Sequence, residues 1–137
     1  MPGMASTSKH ISEAIDRSAS GVYNCVSDPG NLPEWAPGLA GSVQQVEGQW
    51  VADSPMGRVV FAFVERNDYG VLDHDVTLPS GQTVYNPMRV IADRSSSEVV
   101  FTLRRQPDTS EGDFARDADT VSADLSALKR VLEEQPR

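Results

Sequence analysis

The sequence predicts an α+β domain in which a twisted antiparallel sheet packs its apolar face on one long C-terminal helix. Three observations carry this. Between Ser42 and Arg105, short alternating runs follow one another with turn residues between them, too closely for crossover helices. After residue 113, Phe114, Ala118, Val121, Leu125, Leu128 and Leu132 recur at spacings of four, three, four, three and four, a single helical stripe. The chain has 137 residues, enough for one domain that buries a core without staples.

Residues 1–8 are small and polar and are expected to form a disordered N-terminal tail, leaving 9–137 as the single domain. His10 to Asp16 alternates, with Ile11 and Ile15 on one face, and reads as a first strand. Ser20 is placed to cap a short helix through about Ser27, which Asp28-Pro29-Gly30 breaks. A second helical turn fits Asn31 to Trp35, stopped by Pro37 and Gly38. Six strands are then expected at Ser42–Val46, Gln49–Asp53, Arg58–Arg66, Gly70–Leu78, Thr83–Ile91 and Glu98–Arg105. Ser110-Glu111-Gly112-Asp113 resembles a capping box with Asp in the place of Glu or Gln. The helix it opens runs to about Glu134, a length of ~36 Å. One helix cannot cover so wide a sheet, so part of the inner face is expected to line a cavity closed by the short helices and hairpin tips.

Composition narrows the function classes. A net charge of −8 argues against nucleic acid, because phosphate binding depends on clustered Lys and Arg. The single cysteine, Cys25, excludes an intramolecular disulfide and sits in an apolar setting that suits an inert buried thiol. No apolar run reaches the ~20 residues of a membrane span, and the first residues lack a signal-peptide pattern, so a cytoplasmic location is expected. There is no Gly-rich phosphate loop and no Gly-x-Ser-x-Gly elbow. His10 and His74 are the only histidines and Cys25 stands alone, so neither a metal nor another cofactor is expected.

The stretch "YGVLDHDVTL" places His74 on the apolar face of a strand, with Gly70, Leu72, Val76 and Leu78. The opposite set, Tyr69, Val71, Asp73, Asp75 and Thr77, is mostly polar. His74 reads either as a core histidine satisfied by neighbouring groups or as a pocket-lining group that bonds a ligand oxygen or moves a proton. Asp117 lies at the rim of the helix stripe, where it is stabilised by the helix dipole or meets His74 as an acid/base partner. Asp113 and Asp124 lie further round the helix and are expected in solvent. Pro87 interrupts the strand over residues 83–91, so either Asn86 and Met88 or Tyr85 and Arg89 face inward, the former slightly favoured. Trp35 is expected to pack or to gate the pocket. Trp50, Phe61, Phe63, Phe101, Leu103 and Phe114 belong to core or cavity wall.

Several stretches resemble the START-like (SRPBCC) superfamily, which includes polyketide cyclase/dehydrase-type proteins. The segment "VYNCVSDPGNLPEW" (Val22 to Trp35) is similar to that family's V-W-x-x-x-x-D-P-x-x-x-P-x-W, with Tyr23 where Trp is usual. "RVIADRSSSEVVFTL" (Arg89 to Leu103) and "ADLSALKRVLE" (Ala123 to Glu133) add to it, while "RSASG" stands where an Ala-Pro pair commonly opens the first helix. The resemblance spans residues 10–134 and implies a helix-grip architecture: a seven-stranded antiparallel sheet wrapped round the C-terminal helix, with a deep pocket between. Relatives bind lipids, sterols or polyketides, or act as cyclases, hydrolases or chaperone activators, and fold alone does not choose among these. The leading expectation is binding of a small hydrophobic ligand at Trp35, Trp50, Phe61, Phe63, His74, Asn86, Met88, Phe101 and Phe114. An enzyme of cyclase/dehydratase type, working without metal through His74 and Asp117, is the alternative, and a chaperone-activator-like interaction module is the third. The sequence leaves a homodimer open.

Overall fold

A computed structural model describes residues 7–36, 42–55 and 57–136. β1 (Ser8–Ile15) leads into α1 (Ala19–Val26), a 3-10 turn (Pro29–Asn31) and α2 (Leu32–Trp35). Then come β2 (Ser42–Val46), β3 (Gln49–Ser54), β4 (Gly57–Phe63), β5 (His74–Thr77), β6 (Thr83–Asn86), β7 (Met88–Asp93), β8 (Ser96–Arg104) and α3 (Glu111–Glu134). β1 already pairs Ser8 with Arg104, so the domain takes in the end of the expected tail. The expected helix stops Pro37 and Gly38 lie outside the described residues.

Ser18, and not Ser20, caps α1. Its backbone is extended (φ −61°, ψ 152°) and its Oγ accepts the Gly21 N–H at 3.1 Å, whereas Ser20 is inside the helix. Ser110 caps α3 as expected, accepting the Asp113 N–H at 3.1 Å. The α3 stripe buries Ala118, Leu125, Leu128 and Leu132, and the helix packs on β1, α2 and β8. Its last turn carries no basic residue. Arg17 supplies the missing donors from outside, bonding the carbonyls of Glu133 and Gln135 at 2.6 and 2.7 Å. Lys129 Nζ bonds the Ala14 carbonyl at 3.0 Å, and the Asp16 N–H bonds the Glu133 carboxylate at 2.8 Å. The end of β1 and the end of α3 are thereby stitched together.

The strands do not form the single seven-stranded sheet expected. They form a three-stranded sheet, β1-β8-β7, and a five-stranded sheet, β2-β3-β4-β5-β6, both antiparallel. Pro87 accounts for the division. The Thr102 N–H donates to the Pro87 carbonyl at 3.0 Å, but proline has no N–H to return the bond. Pairing with β8 ends there. The expected strand Thr83–Ile91 therefore becomes β6, which pairs with β5, and β7, which pairs with β8.

A second break lies across from the first. His74 opposes Asn86 and Val71 opposes Arg89 in one unshifted register, so Leu72 and Met88 stand as a pair that should exchange two backbone bonds. Only one forms, from the Leu72 N–H to the Met88 carbonyl at 2.8 Å. The Met88 N–H goes to the Asp73 carboxylate at 2.9 Å, and the Leu72 carbonyl accepts from His74 Nδ1 at 3.0 Å. Gly70, at φ +70°, lets the strands close above this point: its carbonyl accepts the Val90 N–H at 2.9 Å, and a Cβ there would strike the Val90 carbonyl. The expected strand Gly70–Leu78 is accordingly reduced to β5 with one isolated bridge at Val71, and the expected Arg58–Arg66 stops at Phe63.

Candidate functional site

Opposed residues in antiparallel strands share a face, so the registers define one inward wall. Trp50 opposes Phe61, which opposes Val76. Phe63 opposes His74, which opposes Asn86. In the three-stranded sheet, Ile11 and Met88 flank Phe101. Phe61 and Met88 are buried, while Trp50, Phe63, Asn86, Phe101 and, on α3, Phe114 are half-buried. Across Pro87 the inward residues are thus Asn86 and Met88. Tyr85 and Arg89 lie on the outer face.

His74 sits where the two sheets meet. It is 7% exposed, stacks on Phe63 at 4.7 Å and meets Phe101 of the other sheet at 6.0 Å. Its Nδ1 is engaged by the Leu72 carbonyl, and its Nε2 takes no hydrogen bond among the described residues. Burial pushes the imidazole below its ordinary pKa despite the Leu72 bond and the nearby Asp73 and Asp75 carboxylates. The shift favours the neutral ring at physiological pH.

The pairing of His74 with Asp117 is not formed. Asp117 is exposed on α3, and the one hydrogen bond of the His74 ring among the described residues goes to the Leu72 carbonyl. Asp124 departs from expectation the other way. It is half-buried, and burial pushes its carboxyl up to about 6. It lies roughly 180° around the helix from Glu133, the residue bonded to the β1 end, and so faces away from β1. Trp35, expected to pack or to gate, is buried in the core with an Nε1 that has no partner among the described residues. Cys25 is half-buried and its thiol is raised by burial and by Glu34 and Asp28.

Asp73 is the residue that alternation missed. Assigned to a polar strand face, it is 4% exposed, because the Tyr85 hydroxyl and the Arg89 guanidinium both close over it while it receives the Met88 N–H. Burial alone would raise its pKa, but the Tyr85 and Met88 bonds and the Arg89 charge hold it below the usual value. The available cue was Pro87, which the register sets directly opposite Asp73. This cluster is on the outer side, away from the aromatic wall. A separate open cleft of about 450 Å³ lies between α1 and residues 66–70. Several of its polar groups pair with one another: Arg66 bonds Asn24 and lies over the Tyr23 ring, whose hydroxyl accepts the Asn67 N–H at 2.9 Å.

Two antiparallel sheets with a C-terminal helix, and an inward wall of aromatic rings round one buried imidazole, define a START-like α+β protein. Residues 6–133 match the family described as polyketide cyclase / dehydrase and lipid transport, and the chain belongs to that family. Solved structures agree on the fold. XoxI from Bacillus cereus is similar over 96% of this chain and 97% of its own, at 18% identity and a TM-score of 0.72. A START superfamily protein from Mycobacterium smegmatis is similar over 93% and 97%, at 13% identity and a TM-score of 0.65. The di-domain ARO/CYC BexL from the BE-7585A biosynthetic pathway is similar over 93% of this chain and 46% of its own, at 19% identity and a TM-score of 0.69. At these identities the likeness concerns fold alone. No curated protein matches the sequence. No helix among the described residues is long and apolar enough to cross a membrane.

Proposed function

We propose that the protein binds a small hydrophobic molecule, aromatic, polyketide-like or lipid-like, against the inward wall formed by Trp50, Phe61, Phe63, His74, Asn86, Met88 and Phe101. One observation carries this reading: a nearly buried imidazole, with one nitrogen unpartnered among the described residues, lies among half-buried aromatic rings. Apolar surface with a few convergent polar groups is what a ligand site of this kind requires. The family description, which couples polyketide chemistry with lipid transport, supports the same ligand class.

The test uses Trp50 as reporter. The chain has two tryptophans, so Trp35→Phe leaves Trp50 as the only indole. Addition of fatty acids, sterols and polycyclic aromatics is expected to shift or quench its emission for at least one class. Native mass spectrometry of freshly purified protein is expected to show a retained small molecule or the added ligand. Absence of any response across the panel, with no bound mass, would sink the proposal.

The second reading is a cyclase/dehydratase-type reaction in the same place, favoured by the same free Nε2. It needs no partner carboxylate, since an oriented substrate and one proton-transferring group supply much of the acceleration such a reaction requires. Turnover of a poly-β-ketone substrate, lost in His74→Phe, separates catalysis from binding.

A further inference from the structure

We infer that the site selects ligands carrying a hydroxyl hydrogen-bond donor, such as a phenol or an enol, because the break in the strand ladder fixes His74 in the tautomer whose free nitrogen can only accept. The inference rests on the binding proposal and names the ligand class for that site.

The Leu72 carbonyl is an acceptor with no proton to give. A bond of 3.0 Å between it and His74 Nδ1 therefore places the proton on Nδ1. Leu72 needs this donor because its regular partner, the Met88 N–H, is diverted to the Asp73 carboxylate. The Asp73 carboxylate is in turn held by Tyr85 and Arg89. Each step is a backbone or buried-group requirement, so the imidazole cannot reverse its tautomer without leaving a carbonyl orphaned. In a neutral ring protonated on Nδ1, Nε2 carries a lone pair and no hydrogen.

The charged and titratable groups near the ring are Asp73 and Asp75 on its own strand. Across the ladders stand Phe63 and Asn86, and Phe101 faces it from the other sheet. None of these contributes a cation. A ligand carbonyl would meet the Nε2 lone pair head-on, whereas a hydroxyl would donate into it. Of the roles read from the sequence for His74, bonding a ligand oxygen or moving a proton, the fixed tautomer narrows the first to a hydroxyl and, in a reaction, would receive its proton.

The experiment compares naphthol, its methyl ether and naphthyl methyl ketone, three probes of similar apolar surface, by Trp50 emission in the Trp35→Phe protein. Long-range proton–nitrogen correlation spectra of the wild-type protein report the His74 nitrogens. Naphthol is expected to bind about tenfold more tightly than the ether or the ketone. That preference should vanish in His74→Phe, and the wild-type spectrum should show a protonated Nδ1 and a bare Nε2 that shifts when naphthol is added. Should His74→Phe fail to fold, the naphthol-induced shift at Nε2 decides in its place. A preference for the ketone, or a protonated Nε2, would overturn the inference. Equal binding of all three probes would overturn it while leaving the binding proposal standing. If no probe binds, the binding proposal falls and this inference with it.

Discussion

Asp73 is buried for the sake of a backbone N–H. Asp73→Asn removes the charge that holds Arg89 and weakens the acceptor for Met88, and is expected to cost about 2–4 kcal/mol in denaturant unfolding. Because its pKa is lowered in the folded state, this contribution is present above the ordinary carboxylate value and is lost as pH falls through the folded one. The variant should therefore show a flatter acid limb, and an unchanged limb would count against the assignment. His74 is also depressed, so the folded protein loses stability as pH drops below about 6.5, where the unfolded chain takes up a proton first. His74→Phe should remove that slope, at a loss of roughly 1–3 kcal/mol for the orphaned Leu72 carbonyl. Asp124 has the opposite sign. With its carboxyl raised to about 6, stability is full below the unfolded pKa near 3.8 and declines as pH rises through about 6. Asp124→Asn should stabilise the fold by about 1–2 kcal/mol at pH near 8, a figure reduced for its partial exposure, and by almost nothing near pH 3. Thermal melts at the two pH values decide this.

Among the elements, those whose boundaries depend on local chemistry were legible in the sequence. β2 matches its expected bounds because Glu47-Gly48, both at positive φ, form a tight turn that fixes the hairpin. α3 was equally clear from its stripe and its Ser110 cap. Other features depend on where hydrogen bonds go across the chain, and periodicity does not carry that. Pro87 was visible as an interruption, but its division of one sheet into two follows from which neighbour loses a donor. The same holds for the candidate site. His74 was readable as an inward imidazole, whereas its bond to Leu72 and the burial of Asp73 required the register. The α3 terminus gives another such case, since its stabilising cation is Arg17, more than a hundred residues away in sequence. Arg17→Met is expected to cost about 1–2 kcal/mol and to speed amide exchange at 132–135. Unchanged exchange there would show that the cap contributes nothing.

For the molecule as a whole, the core and the proposed site share one surface. Phe61 and Met88 belong to the hydrophobic core, and half-buried Trp50, Phe63 and Phe101 pack against it, so occupation of the wall should act on global stability. A ligand at about a hundredfold over its Kd is expected to raise Tm by roughly 5–10 °C. Binding seen by mass spectrometry without any rise in Tm would mean that the ligand binds the unfolded chain as well as the fold. The family assignment follows from the match over residues 6–133, whereas on the proposal above the choice of ligand would turn on a few inward side chains and one proton position.

The pairing of β1 with β8 also has a consequence for synthesis. Ser8 meets Arg104, so β1 leaves the ribosome roughly ninety residues ahead of the strand it must pair with. At the usual elongation rate of about 5–20 residues per second, it waits roughly 5–20 s with its backbone unpaired. Its anchors on α3, Lys129 and Glu133, arrive later still. Through that interval β1 is held by no native ladder, and its exposed polar residues, Ser8, Lys9, His10 and Ser12, make it a poor template for a neighbouring nascent chain. The order of translation gives this edge strand a reason to be hydrophilic that the finished fold alone does not.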